Sequence, residues 1–459
     1  MQLAKSIKFS TAGAKTFLAF LLLSPGVTAL AQNSPYSRFG LGDPVSPSNI
    51  TTRGMGGISA AFADPKVNIW HSINFNNPAS YSQFFTLKEP RSNKLALGRM
   101  VLDAGVNLES RSLVEPNSTQ RFSSSAINFS YIQIGIPLKQ NWGISFGIRP
   151  LTSINYKVNR RESINNPVTG EFIDSAVTQL TGSGGSFLPT IGTGFAIGNL
   201  SLGINASYLF GRQEFSRKKF LLNDSVTHYP SDHTANTSFG GLFFNGGLQY
   251  KIDLKNGKYL RLGAAGNWSQ TIKASQDSVV RTFTFSSSGE LQSIDSIYQK
   301  TDLKGEIVYP SQYTFGFVLG QEMKGWLVGV DYSIGQWNEF RSYGNKDSVQ
   351  NNWRLQAGGQ FRPKATRNYF SIVTYRAGFF FGQDYIKVKN DLPVIGGSFG
   401  ATFPIRSRTQ LTRDQINAVN VAFEFYKRGN NDNTLKENNF RLSVGFNFSD
   451  LWFRKRKYD

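Results

Sequence analysis

The sequence predicts an all-β protein: a transmembrane antiparallel β-barrel of about 14 strands with an N-terminal plug segment. Three observations predict it. Short runs in which every second residue is apolar recur along most of the chain. The connections between these runs alternate between tight turns and longer polar stretches. The N-terminus reads as an export leader. The last run shows the pattern most cleanly, with Phe440, Leu442, Val444, Phe446 and Phe448 alternating with Arg441, Ser443, Gly445 and Asn447. A period of two sends the first set to one face of a strand and the second to the other. One face is oily and the other is polar or tiny, as a wall between lipid and a wet lumen requires.

Residues 1–31 read as a signal peptide. Lys5, Lys8 and Lys15 form a basic region, Phe17 to Leu23 an apolar one, and Ala29-Leu30-Ala31 a small-x-small cleavage site that makes Gln32 the first mature residue. The apolar run is too short to cross a bilayer, and no later stretch reaches the length of a transmembrane helix.

Residues 32–92 carry no long alternation. They hold Gly54, Gly56, Gly57, Pro65, Pro78 and Pro90 together with Tyr36, Phe39, Phe62, Trp70, Phe75 and Tyr81. These aromatics argue for a folded segment. A barrel of about fourteen strands has a bore wider than its own side chains fill, so this segment is expected to plug the lumen.

Residues 93–448 supply the strands, each run being about the length that a tilted membrane strand needs. Trp142, Ile144, Phe146 and Ile148 alternate with Gly143, Ser145, Gly147 and Arg149. Leu200 to Phe210, Trp326 to Ile334 and Val419 to Phe425 alternate in the same way. Near Tyr131 the apolar phase switches to Ile132, Ile134 and Ile136, which predicts a bulge. Short connections such as Gly198-Asn199 and Asp253 to Lys258 alternate with long ones: Tyr156 to Gly185, Gly211 to Ser238, Ala274 to Gly305 and Asn338 to Asn351. Outer-membrane barrels have short periplasmic turns and long outer loops. Pro404 to Gln415 is longer than that rule wants. Residues 449–459 end in Arg454-Lys455-Arg456-Lys457, a basic tail suited to anionic headgroups or a periplasmic partner.

The formal net charge is +20; without the three leader lysines, 47 basic residues face 30 acidic ones, a net +17. The basic residues are scattered, and export excludes nucleic acid as the natural partner; anionic lipid headgroups or sugars suit the charge better. There is no cysteine. His71, His228 and His233 share no metal-ligand spacing, and the last two fall in a polar stretch. No nucleophile elbow, His-Glu-x-x-His or phosphate loop is present, so neither an enzyme nor a cofactor or metal is expected.

The segment Arg53-Gly54-Met55-Gly56-Gly57, the pair Ala60-Ala61 and the triplet Asn77-Pro78-Ala79 resemble the N-terminal hatch of the FadL family of outer-membrane transporters of long-chain fatty acids and other hydrophobic compounds. The resemblance implies a fourteen-stranded barrel in the outer membrane of a Gram-negative-type cell. It makes Gly54, Gly56, Gly57, Asn77, Pro78 and Ala79 the candidate ligand or plug residues. Physically, glycines let a backbone press against a wall, and Asn-Pro starts a turn; a static plug and a moving hatch need both equally. Family members also carry a kink in the third strand that opens a side passage. Pro150 is the candidate for it here, the alternative being a rim bulge.

Arg149, Arg261, Asp331, Arg354, Arg376, Glu424 and Arg441 lie on polar faces and are the candidate lumen charges. They would either tie wall to plug or hold the carboxylate of an amphiphile. Of the functions open on these grounds the first leads and the second is its alternative, while a porin-like channel for polar solutes is argued against by the plug. The first is passage of hydrophobic or amphiphilic small molecules such as long-chain fatty acids, by plug movement or lateral diffusion. The second is a structural or accessory barrel subunit of an outer-membrane assembly or secretion complex. The partners expected are outer-membrane lipid, a fatty acid or other hydrophobic ligand, and other outer-membrane proteins.

Overall fold

The computed structural model describes residues 34–64, 72–88, 95–116, 120–222, 228–286, 291–321, 325–405 and 415–452. The signal peptide with Gln32, Pro65, Trp70, His71, Pro90, most of the Pro404 to Gln415 connection and the basic tail Arg454 to Lys457 lie outside the described residues.

Fourteen strands form the wall: β1 (Leu95–Val114), β2 (Arg121–Lys139), β3 (Trp142–Asn165), β4 (Phe172–Ile197), β5 (Leu200–Leu221), β6 (Ser231–Asp253), β7 (Lys258–Asn267 continued by Gln270–Phe285), β8 (Leu291–Tyr309 continued by Gln312–Gln321), β9 (Trp326–Gly335), β10 (Asn352–Phe361), β11 (Thr374–Val388), β12 (Asn390–Ile405), β13 (Ile416–Arg428) and β14 (Lys436–Trp452). Each pairs antiparallel with its sequence neighbours. β14 pairs with β1 from Lys436↔Val114 to Trp452↔Gly98, which closes the sheet. Closure satisfies the backbone in a solvent without hydrogen bonds. β7 and β8 break at one level, where Gln312 faces Asn267 and Gln270 faces Tyr309. Pro310, which has no amide to donate, sits at that break.

The distribution of polarity is that of a membrane wall. Phe129, Phe146, Ile191, Leu242, Phe399 and Phe425 are exposed on the outside, while Asp103, Asn107, Asp331, Ser398 and Ser443 are buried inside. No helix among the described residues is long and apolar enough to cross a membrane. β14 continues four residues past Phe448, so the first residues assigned to the tail pair in the wall.

Several strands run well beyond a bilayer. A tilted membrane strand needs about 9–11 residues. β3, β4, β5 and β6 have 24, 26, 22 and 23 residues, and 26 residues of strand extend about 85 Å. The stretches expected as long polar loops, Tyr156 to Gly185, Gly211 to Ser238 and Ala274 to Gly305, are largely strands of tall hairpins, and His233 is part of β6. Above the lipid neither face must be apolar, so the alternation that marks a membrane strand disappears while the pairing continues.

The wall is not paired to the same height everywhere. The ladder between β1 and β2 shifts register between Gly105 and Val106, opposite Tyr131 and Phe129, and leaves Ser130 as the bulge expected near Tyr131. β2 and β3 pair only from Ile132↔Ile148 to Lys139↔Trp142. Beyond that level β2 pairs with β1 and β3 with β4, and β3 itself shifts register at Pro150 to Thr152. The two strands separate into a seam.

The N-terminal segment threads the lumen. It contains 3-10 turns at Pro35–Arg38 and Pro78–Gln83 and the four-residue helix α1 (Ile50–Arg53). The Asn49 side chain accepts from the Thr52 amide and that of Asn77 from the Ala79 amide, the usual stop of a first helical turn. Ile50, Met55, Ile58, Phe62, Ile73 and Tyr81 are fully buried.

Candidate functional site

The interface between this plug and the wall gathers buried polar groups. Asn77 Nδ2 donates to the carbonyls of Ala60 (2.5 Å), Ala264 (3.2 Å) and Leu248 (3.3 Å). Pro78 and Ala79 press on Gly194, Gly203 and Gly247 of β4, β5 and β6, where any Cβ would collide with the plug. The glycines of the wall are thus the space in which the plug lies.

Close to Asn77, Asp331 of β9 accepts from the amides of Ser59 and Ala60. Gln249 donates to the carbonyls of Ala60 and Phe62, and Arg261 Nη1 donates to Ala63 at 2.9 Å. The Gly56 amide donates to Ser398 Oγ, and its carbonyl accepts from Gln356. Gly56 and Gly57 have φ of +72° and +91°, which a side chain disfavours. Gly54 follows α1 and packs on Gly400 of β12. Arg53 is 1 % exposed; its Nη1 donates to Asn107 of β1 at 2.6 Å and Ser443 of β14 at 3.3 Å, and its Nε to the Ser48 carbonyl. Burial draws its pKa below the usual arginine value, partly offset by the nearby Glu424.

Asp43 joins a buried ion network. Its two oxygens lie 2.9 Å from Arg111 Nη2 and Arg428 Nη1. Arg428 Nε reaches Asp384 at 2.9 Å, and Glu437 stands 3.5 and 3.6 Å from the same two arginines while Ser34 donates to it. Burial pushes the Asp43 carboxyl up, but the guanidiniums of Arg111 and Arg428 prevail and hold it below the usual carboxylate range. A separate wall cluster sets Arg441 between Glu109 (2.8 Å) and Glu424 (3.1 Å).

Beside the ion network the lumen is apolar and filled by the chain itself. Leu151, Leu188, Leu209, Phe239, Phe243, Ile272, Ile307 and Tyr309 of the wall meet Tyr36 and Leu41 of the plug and Trp337, Phe340 and Val349. Phe340 and Val349 belong to the Asn338 to Asn351 stretch expected as an outer loop, and Trp337 stands just before it; all three fold back into the bore. Trp337 packs on Tyr385 of β11 with ring centroids 4.2 Å apart, and the Tyr385 hydroxyl donates to the Gly42 carbonyl. Asp347 accepts from the Gly40 amide and ties this loop to the plug.

The residues singled out from the sequence therefore meet at this interface in different ways. Gly54, Gly56, Gly57, Asn77, Pro78 and Ala79 touch the wall directly. Arg261 and Asp331 hold plug backbone. Arg149 sits over the Phe75 ring and Arg354 over Phe380. Arg376 bonds Thr402 and Gln360 within the wall. Glu424 and Arg441 pair with each other. Pro150 stands where β3 leaves β2. Sequence reasoning missed Asp43, Arg111, Asp384, Arg428 and Glu437, although a charge on the inward phase of a strand, as at Arg111 two residues after Glu109, is the signal for them.

At the seam, Asp43 and Pro44 pair with Ser153 and Thr152, and the Val45 amide donates to the Leu151 carbonyl at 2.9 Å. The plug thus supplies a two-residue strand where the wall lacks one.

A closed fourteen-stranded barrel with an apolar exterior and a plug threaded through its lumen defines a FadL-like outer-membrane barrel. The chain belongs to the BamG family, whose model matches residues 14–459. Among solved structures, a FadL homologue of Pseudomonas aeruginosa is 12% identical, with 91% of this chain and 100% of that one covered and a TM-score of 0.51. The CymD monoaromatic hydrocarbon channel is 14% identical over 89% and 98% of the two chains, TM-score 0.49. The Pseudomonas putida toluene transporter TodX is 14% identical over 90% and 99%, TM-score 0.47. At this identity the likeness to the FadL homologue is one of fold. No curated protein matches the sequence.

Proposed function

We propose that this protein is a sealed accessory barrel, a non-catalytic subunit of an outer-membrane assembly or secretion complex. The observation that carries this reading is the filling of the bore. The Asn77 side chain donates to wall carbonyls, the side chains of Gln249, Arg261 and Asp331 hold plug backbone, Asp43 pairs with Arg111 and Arg428, and Trp337, Phe340 and Leu41 take up the apolar outer lumen where a hydrophobic ligand would sit. Opening such a path means breaking buried ion pairs and hydrogen bonds together, each costly once a partner is removed. What remains for function is surface, and the tall hairpins β3 to β6 offer much of it. The test is isolation of the full-length protein from its native outer membrane in mild detergent. The reading expects a stable complex with other outer-membrane proteins and no uptake of labelled fatty acid by liposomes that hold the purified barrel. A lone barrel that conducts would overturn it.

A second reading is favoured by one observation, the seam that begins at Pro150. It is passage of hydrophobic or amphiphilic molecules, long-chain fatty acids among them, from lumen to bilayer. Apolar burial would drive entry at about 25 cal/mol per Å². This reading expects co-extracted amphiphile in the purified protein and liposome uptake that changes with Gly56→Trp or Asn77→Ala. Uptake indifferent to both would sink it.

A further inference from the structure

The seam leaves a sheet edge uncovered. Among the described residues, the edge of β3 that faces β2 pairs with β2 only up to Ile148 and, beyond it, only with Asp43 and Pro44, at Ser153 and Thr152. From Lys157 to Asn165, β3 pairs with β4 on its other side and with no described strand on this one. Lys157, Asn159, Arg160, Arg161, Ser163 and Asn165 are exposed, so this stretch meets water above the lipid belt. A strand edge left open is a template for a further strand.

We propose that this edge of β3 receives an extended segment of a partner protein as an added strand, continuing the ladder that Asp43 and Pro44 begin. The proposal rests on the accessory-subunit reading and names the place and chemistry of one contact. Alternate residues direct their amide and carbonyl to the same edge of a strand. The Leu151 carbonyl faces the seam, and Ser153 pairs across it, so Lys157, Asn159 and Arg161 present the free groups. Their side chains stand outward, while Tyr156 and Val158 turn to the lumen side and are buried and half-buried. An added strand would set its outward side chains about 5 Å from Lys157, Asn159 and Arg161. Along the stretch 157–165 itself, Lys157, Arg160 and Arg161 stand against one carboxylate, Glu162, which pairs with Arg160. The occupant is therefore a segment that alternates acidic residues on one face with apolar ones on the other.

The test uses the full chain in detergent and a fluorescent nine-residue peptide of alternating glutamate and valine. Binding should be saturable, and should weaken about tenfold with Lys157→Glu plus Arg161→Glu, since each opposed pair turns repulsive. Asn159→Pro removes an edge donor while sparing the β3–β4 ladder, and it should weaken binding as much. Heat-modified gel mobility identifies variants that still fold. In the unaltered protein, amide exchange at 157, 159 and 161 should slow when the peptide is present. A peptide that fails to bind, a proline-interrupted peptide that binds equally well, or unchanged exchange at those amides overturns the proposal. None of these outcomes touches the accessory-subunit reading, which stands or falls on isolation of the native complex.

Discussion

The amide of Ser59 in the plug donates to the side-chain carboxylate of Asp331 on β9 at 2.6 Å, and the next amide, Ala60, donates to the same oxygen at 2.8 Å. A wall carboxylate thus takes the place of a strand partner for a plug that forms no sheet there. Asp331→Ala leaves both amides buried and unpaired. We expect a loss of about 1–3 kcal/mol per amide, read as a lower unfolding temperature in detergent, and Asp331→Asn should recover part of it.

Gly378 of β11 meets the backbone of Met55 and Gly56 so closely that a Cβ would displace them. Gly378→Ala should push the plug out of register while leaving the wall paired. Arg53, buried in the native protein, should then become a trypsin site. Gly56→Ala should act similarly, because its Cβ would lie 3.0 Å from the carbonyls of Ala357 and Phe379 at a positive φ. Unaltered resistance at Arg53 in both variants would count against tight seating of the plug.

Asp43 gives the plug a pH dependence. Its pKa is lowered in the folded protein by Arg111 and Arg428 against the opposing effect of burial. A lowered carboxyl contributes stability that is complete above its unfolded pKa of about 3.9 and is lost as pH falls through the folded value. Outer-plug protection in amide exchange should therefore decline in acid, below the ordinary carboxylate range. Asp43→Asn should be weaker at neutral pH and flatter in acid.

Trp337 fills the outer lumen from a loop. Trp337→Ala removes its contacts with Tyr309, Phe340 and Tyr385. The cost expected for such a truncation is about 3–5 kcal/mol. It also leaves an apolar cavity lined by the wall. Mass spectrometry of the purified variant should then detect bound amphiphile where the unaltered protein holds less.

Much of the wall was legible because lipid imposes a period of two: the runs ending at Phe448, Phe210 and Ile334 all become strands, and the phase switch at Tyr131 becomes a bulge. The tall upper hairpins were not legible, since Tyr156 to Gly185 answers to water on its faces and shows only pairing partners, which a sequence does not print. The inward charges were legible as a phase. Their partners were not: Asp43 and Arg428 are 385 residues apart, and neither has a local signature. The return of Trp337 and Phe340 into the bore had a sign in retrospect, since two large aromatics in an outer connection seek burial.

Arg53 and Asp43 both grip the joint where the barrel closes. Arg53 touches Asn107 on β1 and Ser443 on β14, and Asp43 touches Arg111 on β1 and Arg428 on β13. These two grips need the first and the last wall strands together, so they are complete only when the cylinder is closed, and they then act as a latch added to the contacts that the plug makes with the strands between.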